Sequence, residues 1–457
     1  MVRQLESAHA FQPLRQSRQT RVWTVMRRVL IVTSSYAPTM IADMQRVRQL
    51  ALELPKLGWE VEVLSPSTEY QPMTCVDEDS AAFFSSRSKV HCVPQMWPGL
   101  FRIAGVGNIG WRALLPLWSA GKRLLRERKF DVVYISTAQF PLFLLGRLWQ
   151  RRFRVPYVLD VHDPVYKEGS RHPVWAQPRL KHRVSNALAK QVEAHAAKSA
   201  QGLIAVSPNY IETLRRRHEA KQPAWLCPGR YEAIPFSALP RDLCEAASRL
   251  ALHSERNGPP YRIIYVGVGG SVMAKSFTFF SRALAGLRIS SGRLCEGIRV
   301  ELFGTQLGWR PGEARALADI ATKWGIGDLV REEPGRVSYR RSLELLLQSD
   351  GALIFGVDDP GYMPSKLFSY ALSGKPLLAT LHREGTAFSK FQSIRDLGHT
   401  LWIGQRDDMP LDEAVNVLET FLREVVTRRT FDRSASITPY LAAAMARRHV
   451  EVFEACL

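Results

Sequence analysis

Long apolar runs are scarce in this chain of 457 residues. The longest, Val132 to Trp149, is interrupted by Gln139 and Pro141 and carries Arg147 near its end. Crossing a bilayer takes about 20 mostly apolar residues, so this stretch reads as strand, turn and helix, not as a span. The first 25 residues also lack the apolar core of about 7–15 residues that a secretory leader needs. Gln4 to Arg21 is polar and basic and is expected to be a flexible extension, with Met26 as an alternative start. Cysteine is sparse. Cys75, Cys92, Cys227, Cys244, Cys295 and Cys456 are scattered, with no C-x-x-C pair and no His at metal-ligand spacing. That argues against a zinc ribbon or a disulfide scaffold and fits a reducing compartment. No metal site is expected.

Acidic residues are in short supply, and unevenly so. Residues 1–240 hold 34 Lys and Arg against 18 Asp and Glu, whereas the rest hold 28 against 25. A uniformly basic protein would suggest nucleic acid. A basic first half beside a near-neutral second half suggests instead that one domain faces an anionic surface, such as anionic lipid. With 46% hydrophobic and 10% aromatic residues the chain is an ordinary globular one, too long for a single typical domain.

What is present is a repeating alternation of strands and helices. Arg28 to Thr33 is a short apolar run entering a loop at Ser34, Ser35 and Tyr36. Met44 to Leu57 has helical spacing and stops at Gly58, and Glu60 to Leu64 is the next strand. After an insertion, Phe130–Ser136, Pro156–Val161 and Gly202–Val206 read as strands, with helices over Pro141–Arg151 and Val184–Ser199. Residues 222–260 are rich in proline, lack a long periodic segment and are taken as the hinge. Tyr261–Val266, Ile298–Phe303, Gly351–Phe355 and Pro376–Ala379 build a second sheet, and a helix follows from Tyr440. The fold class is therefore α/β, with two tandem Rossmann-like doubly wound domains expected to face a cleft. The expected division is an extension over 1–26, domains over 27–235 and 236–430, and a C-terminal helix over 431–457 crossing back to the first domain. Ligands in such sheets bind at the carboxyl ends of the strands.

The loops after Val32, Val161, Val266, Phe303 and Phe355 stand at such ends. After Val161 come His162 and Asp163; a surface histidine and a helix cap are the plain alternatives. After Val266, the loop Gly267-Val-Gly-Gly-Ser271 lets backbone approach a phosphate, with Lys275 beyond it. It is not a dinucleotide fingerprint, since Val272 stands where the third glycine belongs. After Phe355, the run Gly361-Tyr362-Met363-Pro364-Ser365-Lys366 leads into a helix expected to start at Pro364 and to stop at Gly374, a ready anion site or an ordinary capped helix. After the first strand, Thr39, Asp43 and Arg46 stand where an acceptor hydroxyl or phosphate would be met, or where capping and an i,i+3 pair suffice.

Pro364-Ser-Lys-Leu-Phe-Ser-Tyr-Ala-Leu-Ser-Gly-Lys-Pro376 resembles the nucleotide-binding helix of retaining GT-B glycosyltransferases of family 4. Val29–Leu64, Val161-His-Asp163, Gly202–Ser207 and Tyr265-Val-Gly267 with Lys275 resemble the family's other motifs in the same order, so the match spans residues 27–455. The resemblance implies a glycosyltransferase moving a hexose from a nucleotide-diphosphate sugar, as co-substrate and with no other cofactor, to a glycan or lipid-linked acceptor. It implies retention, no metal, and a place in polysaccharide biosynthesis. His162 would then hydrogen-bond the donor sugar, with Asp163 beside it. Gly269, Gly270, Ser271, Lys275, Gly361 to Lys366 and Ser369 would hold the donor. The sequence departs from the family where Ser369 and Gly361 replace the two glutamates of E-x7-E and Val268 replaces an arginine. Lys366, Arg336, Arg340 and Arg341 are the cations left to compensate.

The insertion Val93 to Lys129 is aromatic and basic, with Trp97, Leu100, Phe101, Trp111, Leu114 and Trp118 followed by Lys122, Arg123, Arg126, Arg128 and Lys129. It fits an interfacial membrane segment or a core helix with a charged outer face. A cytoplasmic protein, peripheral at the inner face of the plasma membrane, is the expectation. No nucleic acid is expected as a partner. The competing readings are a GT-B scaffold that has lost its donor site and a sugar-nucleotide 2-epimerase of the same architecture.

Overall fold

The computed structural model describes residues 26–69, 76–80, 84, 88–97, 108–166, 180–250, 258–306 and 308–457. The basic extension, Cys75, and Leu100 and Phe101 of the insertion lie outside the described residues. The chain forms two compact units. One comprises residues 26–235 with 442–457, and the other residues 236–441.

The first unit is built on a seven-stranded sheet of order β3-β2-β1-β4-β5-β6-β7. Its strands are β1 (Arg27–Val32), β2 (Trp59–Pro66), β3 (Lys89–Val93), β4 (Val132–Thr137), β5 (Tyr157–Val161), β6 (Gly202–Ala205) and β7 (Tyr231–Ala233). All neighbours pair in parallel. The central strands are largely buried on both faces, and so they read as mostly apolar runs. The helix Ala42–Glu53 continues as a 3-10 turn over Leu54–Leu57 and ends at Gly58, whose φ of 83° suits glycine. The interrupted run from Val132 is β4, a turn and the helix Phe143–Phe153, and no helix among the described residues is long and apolar enough to cross a membrane. The C-terminal helix Ala442–Ala455 belongs to this unit. Its Phe453 packs 5.5 Å from Trp59 and 5.3 Å from Tyr134 between ring centres. Burying one such side chain contributes about 1.5–3 kcal/mol.

The helix Ile109–Glu127 fills the insertion. Asn108 caps it by accepting from the Trp111 amide at 3.1 Å. Ala113, Leu117, Gly121 and Leu124 face inward, and Gly121 leaves room for the Trp149 ring. Leu115 and Trp118 face outward with Lys122, whose ammonium lies 5.0 Å from the Trp118 ring centre.

The second unit carries a six-stranded parallel sheet of order β10-β9-β8-β11-β12-β13. The strands are β8 (Tyr261–Val266), β9 (Ile298–Phe303), β10 (Val330–Glu333), β11 (Gly351–Phe355), β12 (Leu377–His382) and β13 (His399–Ile403). Strand order reverses between β8 and β11, as it does between β1 and β4, and each reversal opens a crevice at the strand ends.

Several elements differ from the sequence reading. The presumed hinge contains β7 and the helix Pro240–Leu250. That helix is short and buries Asp242, Leu243 and Ala246, with Tyr339 donating to Asp242 at 2.8 Å. Edge strand β10 reads Val-Arg-Glu-Glu, which carries no apolar signal. Its Glu332 is buried because it accepts from the Leu317 and Ala318 amides at 3.0 and 2.8 Å, capping the helix Ala316–Lys323.

Candidate functional site

In the first unit β4, β5, the helix Ala42–Glu53 and the C-terminal helix meet at a buried polar network. Asp160, in the middle of the apolar strand β5, is fully buried. Its Oδ2 accepts from the Tyr134 hydroxyl at 2.5 Å and from Ser136 at 2.8 Å, and lies 2.7 Å from His162 Nε2. Ser136 Oγ is 3.1 Å from the same His162 nitrogen. Arg46 brings its Nε to 3.5 Å of Asp160 Oδ2 and donates from Nη2 to the Ile234 carbonyl at 2.6 Å. His449, from the C-terminal helix, stands 3.0 Å from the Tyr134 hydroxyl and 3.4 Å from Arg46 Nη1.

The charges of this network follow from its surroundings. Burial alone would raise the Asp160 pKa, but Arg46 and then His162 outweigh it and hold the carboxyl well below the ordinary range. Burial, and then Arg46, lower His449 to about 3, so its ring is neutral. Burial and then the Asp160 charge push the Tyr134 hydroxyl well above the usual phenol range, leaving it a proton donor. Arg46 and Asp160 are thus a cation and an anion buried in contact.

In the second unit the crevice between β8 and β11 is lined differently. Lys366 donates from Nζ to the Val266 carbonyl and lies 4.4 Å from the Tyr265 ring centre. Gly267 has φ of 140°, and a Cβ there would fall on the Lys366 ammonium. Arg336 reaches the Gly304 carbonyl from Nη1 at 3.4 Å. Burial first, then Arg336, pull Lys366 down to about 7. The amide of Gly269 donates to the Thr305 carbonyl at 2.9 Å, fixing the glycine loop against the end of β9.

The sequence-derived residues separate into two groups. His162 sits at the end of β5, nearly buried, with Asp163 exposed beside it. Asp43 is buried and accepts from Ser34 and Ser35 at 2.8 and 2.9 Å, holding the loop after β1. Thr39 is fully buried and bridges to Val76. Arg46 points inward: at 1% exposure, on Asp160 and a carbonyl, it has no surface to offer an acceptor phosphate. A guanidinium buried that deeply needs partners, and the Asp160 carboxylate and the Ile234 carbonyl supply them.

In the second unit Gly269, Gly270, Gly361, Met363 and Pro364 pack inward, while Ser271 is exposed and Tyr362, Ser365, Lys366 and Ser369 are half-buried. The helix expected from Pro364 starts at Leu367 and spans Leu367–Leu372. Residues 365 and 366 form a turn first, and the Gly361 amide is already held by Asp359 at 2.8 Å. Six residues make a weak dipole, so charge there comes from Lys366 itself. Lys275 points away from the glycine loop; its ammonium contacts Asp358 at 3.1 Å and the Gly404 carbonyl at 2.6 Å. Arg340 and Arg341 pair with Glu344 of their own helix at 2.6 and 3.4 Å.

Asp160, Tyr134, Ser136 and His449 escaped the sequence reading. A carboxylate within Tyr-Val-Leu-Asp-Val was their one visible signal, since a buried charge needs a partner. Among the described residues no group of three or more His, Cys, Asp or Glu side chains is arranged to hold a metal ion.

Residues 44–225 match the model of the glycosyl transferase 4-like domain. No curated protein matches the chain in sequence. Solved structures share its architecture. HepE of Anabaena in complex with UDP-glucose superposes with a TM-score of 0.55 at 13% identity, over 93% of this chain and 99% of that one. The UDP-forming α,α-trehalose-phosphate synthase of Burkholderia xenovorans, in complex with glucose-6-phosphate, gives 0.58 at 13% identity over 93% and 100%. The N-terminal domain of Candida albicans trehalose-6-phosphate phosphatase gives 0.60 at 12% identity over 96% and 99%. Over residues 44–225 the chain is similar to the glycosyl transferase 4-like domain, and its two parallel sheets are those of the GT-B fold.

Proposed function

We propose that the protein is a glycosyltransferase that takes a sugar from a nucleotide-diphosphate donor. The unit of residues 236–441 binds the donor, and the unit carrying His162 binds a glycan or lipid-linked acceptor. One observation carries this reading: Lys366 and Arg336 bring two cations to the mouth of the β8–β11 crevice, over a glycine loop, where Lys366 meets only a carbonyl and an aromatic face. An anionic diphosphate placed there gives the Lys366 ammonium a counter-charge and offsets the repulsion from Arg336. Lys275 is engaged with Asp358 and is a lesser contributor. Retention and independence of metal are part of the same proposal and rest on the family resemblance.

The test is a thermal-shift panel of nucleotide sugars that begins with UDP-glucose, followed by product analysis. A shift with one donor that is lost in Lys366→Ala and largely kept in Lys275→Ala is the expected result. No shift with any donor favours the scaffold reading, for which Ser369 and Val268 already speak. The exposed Leu115 and Trp118, with Arg123, Arg126 and Lys129 on the same helix and just beyond it, support contact with an anionic membrane surface. Pelleting with anionic liposomes that is unchanged in Trp118→Ser would remove that part.

A further inference from the structure

We infer that Asp160 is a positioning residue: it holds the His162 ring as the Nε2–H tautomer, so that Nδ1 is its hydrogen-bond acceptor. The inference rests on the transferase reading for its purpose but not for its geometry. Asp160 Oδ2 lies 2.7 Å from His162 Nε2. An ionised carboxylate only accepts, so the proton of a neutral ring must sit on Nε2. Asp160 is kept ionised by Arg46, whose guanidinium is equally buried.

The remaining contacts fix the carboxylate from other sides. Tyr134 and Ser136 both donate to the same Oδ2, at 2.5 and 2.8 Å. His449 closes the network beneath. Its Nδ1 lies 2.7 Å from the Met445 carbonyl and so carries the proton, which leaves Nε2 to accept from Arg46. The C-terminal helix is therefore part of the machinery that orients His162, although it lies more than 280 residues downstream in the sequence. A neutral ring with an accepting Nδ1 suits a sugar hydroxyl, which donates one proton. It does not suit a phosphate, which has none to give at neutral pH.

Long-range proton–nitrogen NMR on the full chain with labelled histidine tests this, with His162→Gln used to assign the signal. In the unmodified protein, at a pH where the ring is neutral, the expected signal is a protonated Nε2 and a bare Nδ1. The opposite tautomer overturns the inference without any variant or activity. Asp160→Asn should mix the two tautomers, whereas Ser136→Ala should leave the Nε2–H form in place. A tautomer that ignores Asp160→Asn in a folded protein also counts against it. Once a donor is identified, Asp160→Asn should lower kcat by about tenfold, the worth of one misoriented hydrogen bond, with the donor KM little changed. If the tautomer is as stated and no donor binds, the transferase reading fails and the positioning geometry stands.

Discussion

The two sheets are fastened alike where their strands begin and differently where they end. In the first, the Arg28 amide donates to Asp131 at 2.7 Å and its guanidinium to Glu60 at 2.6 Å. In the second, the Arg262 amide donates to Asp350 at 2.8 Å and its guanidinium to Glu301 at 2.6 Å. Asp131 and Asp350 each directly precede the strand beyond the switch point. These are the ends remote from any ligand in a doubly wound sheet, and the same solution serves both. At the carboxyl ends the likeness stops. The first crevice buries an arginine against an aspartate. The second sets a lysine and an arginine against main-chain carbonyls. A balanced interior pair is structural equipment that orients a neighbour. A lysine with no carboxylate on it, close to an arginine, is what the proposed donor site would use to receive an anion.

The sharpest way to break this contrast is to remove one cation from each crevice. Arg46→Met leaves Asp160 charged and buried without its counter-charge, which is expected to cost about 3–5 kcal/mol. Lys366→Met removes a cation that its surroundings already disfavour, so the same denaturant titration should show no such loss. Equal losses in the two variants would mean that the second crevice is as structural as the first.

Much of this architecture was legible beforehand. Tyr261–Val266, Ile298–Phe303 and Gly351–Phe355 announce themselves because strands covered on both faces are predominantly apolar. The edge strand Val330–Glu333 and the helix Pro240–Leu250 do not, because the strand reads Val-Arg-Glu-Glu and the helix is short. The positions of His162 and Lys366 at strand ends followed from motif order. The direction of a side chain did not. Nothing in the sequence tells that Arg46 turns toward Asp160, that Lys275 turns toward Asp358, or that His449 reaches Tyr134. Those choices depend on partners from 83 to 315 residues away in the sequence.

The crevices should also separate by pH, with smaller effects. Asp160 has a depressed pKa in the fold, through Arg46 and His162 against the penalty of burial. Its contribution is complete above the ordinary aspartate value of about 3.9 and is lost as pH falls below it. Lys366 is depressed as well, to about 7, by burial and then Arg336. Between about 7 and the ordinary lysine value near 10.4, the unfolded chain binds a proton that the folded chain lacks. Stability should therefore rise with pH across that window, and the penalty is full below about 7. Lys366→Met should flatten the alkaline rise and leave the acid loss untouched. An unchanged alkaline slope in that variant would place the Lys366 ammonium in solvent.

The smallest effect is expected at Lys275, and its smallness is informative. Its ion pair with Asp358 is open to water, with the two side chains 38% and 49% exposed. Such pairs contribute about 0–1 kcal/mol. Lys275→Ala should therefore shift the unfolding midpoint little, and raising salt should shrink the difference further, because exposed pairs are screened. The variant also frees Asp358, whose Oδ1 lies 3.6 Å from His382 Nε2. If Lys275 instead swings to a bound diphosphate, the variant stays stable but loses donor affinity by as much as Lys366→Ala does. Measuring both variants against one donor ranks the two lysines. A dominant Lys366 would keep the contrast between the crevices, and a dominant Lys275 would move the anion site from the β8–β11 mouth toward the loops after β11 and β13.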